Sequence, residues 1–251
     1  MTTVELPTTR AIGQGERIRR TVRLQFANTW SILWTPCLIL GAIFLGNFLI
    51  WAAIALSTGS RTMEGTQYSG SEFFIFVYMM IIAIQSTNLT FPFALGLGST
   101  RRDFYLGSLA AWLILAVGFT IGLTLLAQIE VATHGWGFGG TLFNAVYFGG
   151  TNPLTHASTV FTALIFFQAV GAFVGAVYLR WRQAGLLTAG GCAAALIVAF
   201  IIVVDLLQGW GGLWAWIVDT GVAGLTTWSL IPTVVFAVLG YAVLRRATPR
   251  S

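Results

Sequence analysis

The chain contains no lysine; its thirteen basic residues are all arginine. That absence excludes a P-loop, whose lysine reaches the phosphates of a bound nucleotide. Charge of either sign is scarce, at 8% of 251 residues, against roughly 25% in an ordinary soluble domain. So few charges cannot solvate the surface of a soluble protein. Cysteine is limited to Cys37 and Cys192, both inside apolar runs and without CxxC or Cys/His spacing. Neither a disulfide framework nor a metal site follows, and both cysteines read as small apolar fillers. The G-x-S-G nucleophile, GxGD aspartyl and HExxH zinc motifs are also missing. The chain is therefore expected to be non-catalytic, with no metal-binding residues and no cofactor bound by itself.

What fills the sequence is apolar: 57% of residues are hydrophobic. A membrane helix needs about 20 mostly apolar residues. Six runs qualify, at 37–56, 73–95, 105–129, 157–179, 184–204 and 225–244. They are too long and too uniformly apolar for the alternating strands of a barrel. The expected fold is an all-α integral membrane protein with six transmembrane helices. It divides into a tail with an interfacial helix (1–36), the six-helix domain (37–244) and a short tail (245–251). An A-x-A-like site at 53–55 raises the alternative of a cleaved signal. The apolar run is too long for that, and an arginine-rich tail precedes it, so a retained helix is expected.

Arginine placement orients the spans. Arg10, Arg17, Arg19, Arg20 and Arg23 precede the first span, and Arg101 and Arg102 lie between the second and third. Arg180 and Arg182 separate the fourth and fifth, while Arg245, Arg246 and Arg250 follow the sixth. These all fall on one side, which the positive-inside rule makes cytoplasmic, so both termini are expected inside. Because the basic residues flank apolar spans, a lipid membrane rather than nucleic acid is the expected partner. Outside, only Arg61 joins Glu64, Glu72, Glu130, Asp205 and Asp219. The external loops are the longer ones. Trp136, Trp210, Trp214, Trp216 and Trp228 suit an outer aromatic belt, and 205–224 is expected to dip into the membrane as a short helical segment. His134 and His156 read as polar loop residues.

Three stretches stand out. In "ERIRRTVRLQFANTWSILW" (16–34), Ile18, Val22, Phe26, Trp30 and Leu33 recur at helical spacing, with Arg19, Arg20 and Arg23 on another face. This predicts an amphipathic interfacial helix held by anionic headgroups. Within the spans, Gln85 and Asn88 share a face of the second helix at i,i+3, a candidate translocation path or an interhelical hydrogen-bonding pair. "GFTIG" (118–122) and "GAFVG" (171–175) allow close helix approach, within the chain or between copies. The third stretch is "GLGSTRRDFYLG" (96–107), where Gly96 and Gly98 loosen the end of one helix. Thr100 and Asp103 form a capping box, T-x-x-D, that starts the next.

The segment "FPFALGLGSTRRDFYLGSLAAW" (91–112) resembles the first cytoplasmic loop of permease subunits of bacterial ABC transporters of the type 2 export family. Members often read P-x-x-x-x-G-x-(S/T)-R-R-x-(F/Y) there. The layout of the rest of the chain is similar as well. The resemblance implies that the loop is a coupling helix docking on a separate ABC ATPase subunit. Ser99, Thr100, Arg101, Arg102, Asp103, Phe104 and Tyr105 then form the docking surface. It further implies ATP and Mg acting through that partner, a second copy or a homologous permease subunit, and a location in the bacterial plasma membrane. Few intramembrane charges suit an amphipathic or hydrophobic cargo such as a drug, peptide or lipid. The alternative is an ion-coupled secondary transporter or channel, against which stands a midplane empty of charge.

Overall fold

The computed structural model describes residues 13–59, 70 and 72–247. The sequence expectations for Arg10, Arg61, Glu64 and Arg250 lie outside these residues. All regular structure among the described residues is helical. Five helical stretches are long and apolar enough to cross a membrane: Trp30–Ser57, Phe73–Gly96, Arg101–Ala132, Pro153–Leu206 and Trp210–Arg245. This all-α architecture is consistent with an integral membrane protein.

The amphipathic segment is α1, Gln14–Gln25. It does not end in a loop before the first span. A 3₁₀ turn (Phe26–Asn28) and a π turn (Trp30–Trp34) carry the chain in helical dihedrals into α2, Thr35–Thr58. The first span therefore begins earlier than position 37, because Asn28 and Thr29 alone cannot stop a helix whose neighbours all favour it. The second span is built similarly, from α3 (Phe73–Gln85), a π turn (Ser86–Thr90) and α4 (Phe91–Gly96). Each π turn lies just before a proline, Pro36 or Pro92. Proline offers no N–H and its ring crowds the carbonyl four residues back, so widening the preceding turn relieves both defects.

Three further long helices follow among the described residues. α5 is Arg101–Ala132. α6, Pro153–Leu206, starts on Asn152, whose side chain accepts from the amides of Leu154 (3.0 Å) and Thr155 (3.4 Å), with Pro153 in the first turn. A straight helix of its 54 residues would be roughly 80 Å long at about 1.5 Å per residue. It is not straight: Arg182 (φ 57°, ψ −144°) breaks it into two limbs. α7, Trp210–Arg245, is broken at Gly221 (φ 61°, ψ 179°), and its stretch before the break is helical, as the Trp-rich segment led us to expect.

The core lies where α3, α5 and the first limb of α6 meet, around Ile75, Phe76, Met79, Ala116, Leu123, Val160 and Leu164. Gly171 and Gly175 make this possible. A Cβ at Gly171 would collide with the Met80 carbonyl, and one at Gly175 would lie 2.8 Å from Thr87 Cβ. "GAFVG" thus serves packing inside the chain, whereas Gly118 and Gly122 have nothing within 4 Å of a would-be Cβ. The second limb of α6 exposes apolar residues on every side, Leu196, Ile197, Phe200 and Ile201 among them. A helix apolar all round and unburied by its own chain requires an apolar medium.

Candidate functional site

The loop at 96–107 is two capping motifs back to back. Gly98 is left-handed (φ 81°). Its N–H donates to Leu95 O and the Ser99 N–H to Ala94 O, each at 3.0 Å. That is a Schellman stop, in which glycine adopts the φ that other residues resist. Thr100 then takes an extended conformation (ψ 155°), and its Oγ1 accepts from the Asp103 N–H at 3.1 Å. The helix start expected from T-x-x-D is therefore present. The carboxylate of Asp103 turns away from the cap: its Oδ2 lies 2.8 Å from Arg17 Nε. That N–H points off the line between the atoms, so the contact is coulombic rather than a hydrogen bond.

Arg17 opens a polar seam along α1 at i, i+4, i+8. Thr21 packs on Gly107, where a Cβ would come within 2.5 Å of Thr21 Cβ. Gln25 Nε2 donates to Ser108 Oγ and Gln25 Oε1 accepts from Ser86 Oγ, both at 2.8 Å. The buried positions of α1 are thus Thr21 and Gln25 of this polar row, while Phe26 and Leu33 of the apolar stripe pack farther along against Ile32, Ile82 and Leu115. The sequence reading missed the polar row because Arg17, Thr21 and Gln25 look like surface residues until Asp103, Gly107 and Ser108 are placed opposite. Arg19 and Arg20 are exposed and reach Glu16 (3.8 and 3.3 Å), and Arg23 is exposed without an ion pair among the described residues.

The residues singled out in the loop separate into two groups. Thr100 and Arg102 are exposed, and Ser99 and Arg101 are half-buried. Asp103, Phe104 and Tyr105 are buried inside the chain. Phe104 stacks edge-on against Phe91, with ring centroids 5.2 Å apart. Tyr105 donates its hydroxyl to Ala237 O at 2.5 Å and meets the Tyr241 ring. Arg101 Nη1 donates to Arg245 O at 2.5 Å. Leu97, Ser99, Thr100, Arg101 and Arg102 form the exposed and half-buried surface of the loop. Gln85 is exposed in a groove of about 300 Å³ that it shares with Gln25, Asn28, Ser31 and Thr90. Asn88 sits in the π turn, half-buried, its Oδ1 without a hydrogen-bond partner among the described residues.

At the opposite end of the bundle lies a cluster that the sequence did not signal. Glu130, on the last turn of α5, is buried and saturated with donors. Its Oε2 accepts from the amides of Leu142 (2.9 Å) and Phe143 (3.1 Å) and from Trp136 Nε1 (3.0 Å). Its Oε1 accepts from the Asn144 amide at 3.0 Å. His156 is not a loop residue: it is fully buried on α6. Its Nε2 donates to Phe143 O at 2.9 Å, and its Nδ1 lies 3.2 Å from Thr124 Oγ1. Glu72, which precedes α3, is also fully buried; its Oε1 stands 3.8 Å from His156 Nε2. Neither Glu72 oxygen has a hydrogen-bond partner among the described residues. Burial, seconded by the charge of Glu130, pushes its carboxyl up to about 9. No group of three His, Cys, Asp or Glu side chains among the described residues is arranged to hold a metal ion.

Comparison with known proteins returns nothing: no family model, no curated protein and no solved structure matches this chain.

Proposed function

We propose that this chain is the membrane-embedded permease subunit of an ATP-driven ABC exporter of the bacterial plasma membrane. The observation that carries the reading is the wiring of the loop at 96–107. A capped helix start exposes Thr100 and Arg102 while its buried side joins three other parts of the bundle. Asp103 meets α1 through Arg17, Phe104 meets α4 through Phe91, and Arg101 and Tyr105 reach α7 carbonyls. A push on such a loop moves α1, α5 and α7 together. In this reading α6 crosses twice, folding back at Arg182, which makes six crossings with both termini cytoplasmic. α1 lies at the inner interface, with Arg19, Arg20 and Arg23 toward the headgroups.

The chain itself is non-catalytic in this scheme. A separate ABC ATPase subunit binds ATP and Mg, and its guanidinium-facing carboxylates pair with Arg101 and Arg102. Two permease subunits, identical or homologous, move an amphipathic or hydrophobic cargo between them. The groove beside Gln85 and the half-buried Asn88 belong to the candidate path. Purification from gently solubilised membranes should bring a P-loop ATPase along, and Arg102→Glu should release it without unfolding the chain. A transport-active preparation free of any nucleotide-binding subunit would overturn the reading.

One observation favours an ion-coupled transporter instead. Buried ionisable groups in a membrane bundle are functional by default, and Glu72, Glu130 and His156 are such groups. Substrate uptake into liposomes under a proton gradient, without ATP, would select that alternative.

A further inference from the structure

Among the described residues, Glu72 is a carboxyl buried without a hydrogen-bond partner: it has no accessible surface, and neither of its oxygens accepts a hydrogen bond. Its surroundings are aromatic: Phe73 packs on Phe76 and Phe148, and Phe148 packs on His156. Among the described residues, the titratable groups that face it come from three neighbouring elements. Glu130 comes from α5, His156 from α6 and Tyr147 from the 3₁₀ turn Val146–Phe148. None of them neutralises an anion there. Glu130 is itself an acid, held in place by four donors. His156 must carry its proton on Nε2, because the Phe143 carbonyl it meets has none to give, and that proton is directed to Phe143. A lone carboxylate in such a place costs several kcal/mol, whereas the neutral acid does not.

We propose that Glu72 is a proton-binding site, occupied when this end of the bundle is closed and emptied when it opens. The closed cap consists of residues 142–144, tied to Glu130, and of Phe143 O, tied to His156. Glu72 seals it from the start of α3, and it can do so only as the uncharged acid. Losing the proton places a second carboxylate beside Glu130 in an apolar pocket; the relief is for Glu72 to swing out into water, unseating the cap. The site holds under either functional reading. As part of an exporter it makes closure of the distal gate depend on pH, and in an ion-coupled transporter it is the coupling site.

The direction of the effect follows from linkage. The unfolded chain gives up this proton near the ordinary value of 4.5, and the folded chain holds it to about 9. Between those values the unfolded state binds fewer protons, so stability is full below the lower value and falls as pH rises through the upper one. The test uses the full chain in lipid nanodiscs. Thermal unfolding and hydrogen exchange of the 136–150 segment, corrected for intrinsic exchange, are followed from pH 5 to 10 in the wild type and in Glu72→Gln. The wild type should lose both melting temperature and cap protection toward pH 9. Glu72→Gln should be flat across the window and melt higher than wild type at pH 9. Equal pH profiles in the two proteins, or a Glu72→Gln protein less stable than wild type at every pH, would overturn the proposal. Infrared difference spectra of the wild type give a second measurement should the variant fail to fold. A protonated carboxyl band should persist at pH 7 and vanish near pH 9; its absence at pH 7 would refute the site. None of these readouts involves ATPase binding or transport, so their failure leaves the functional reading to its own test.

Discussion

The Arg17–Asp103 contact makes an asymmetric prediction. The Asp103 side chain is 4% exposed and the Arg17 side chain 38%. Removing the arginine strands a carboxylate indoors; removing the aspartate leaves a guanidinium that can turn to water. Stranding one member of a fully buried pair costs about 3–5 kcal/mol. With one partner partly solvated and its N–H off the contact line, Arg17→Ala should cost about 2–4 kcal/mol by the same principle. Asp103→Ala forfeits only the value of a half-exposed pair, about 0.2–1 kcal/mol, plus a similar amount for an acid in the first turn of α5. The double variant should resemble Asp103→Ala alone, because no charge is then left buried. Reversible denaturant unfolding in mixed micelles, followed by tryptophan fluorescence and far-ultraviolet dichroism, measures all four corners of the cycle. If Arg17→Ala costs no more than Asp103→Ala, or if the two losses simply add, the seam between α1 and α5 is not held by this pair.

Four other substitutions have expected outcomes in the same assay. Thr100→Ala removes the cap on α5 and should cost about 1 kcal/mol, with Thr100→Asp restoring most of it. Gly171→Ala drives a methyl into the Met80 carbonyl and should cost about 1–3 kcal/mol. Gly118→Ala meets open space and should be neutral or stabilising by up to about 1 kcal/mol through helix propensity. Glu130→Ala orphans the buried amides of Leu142 and Phe143; at about 1–3 kcal/mol for each buried donor left unpaired, it should cost more than any of these. It should also shift the emission of Trp136 to the red in a protein whose other tryptophans are replaced by phenylalanine.

The parts of this fold legible in the sequence are those fixed by local rules. Long apolar runs announce membrane-length helices, and the turn at Gly98–Asp103 could be read because a left-handed glycine and an N-cap threonine each act within a few residues. The π turns had a local cause too, the prolines at 36 and 92, but one that shows only once the helix is known to continue through them. What escaped reading depends on partners distant in sequence. Gln25 meets Ser108 across 83 positions, and nothing in "TVRLQ" says so. Glu130 and His156 looked like solvated loop residues because polar side chains next to Gly-rich stretches usually are. Their burial comes from the chain folding its own amides back over them. The burial of Phe104 and Tyr105 was hidden for a related reason: an aromatic beside two arginines suits a docking surface equally well as an anchor to the helix behind it.

The hydrogen bond from Arg101 to the Arg245 carbonyl joins residues 144 positions apart. During synthesis the loop emerges long before α7 does. Its capping turns can form at once, yet Arg101 and Tyr105 find their acceptors only after α7 has been inserted. A chain that stalls or is cut short before Ala237 would therefore display a loosely held loop with two unpaired donors. Anything that contacts that surface would meet a different shape before α7 is in place than after. The last turn of α7 thereby finishes a loop made much earlier.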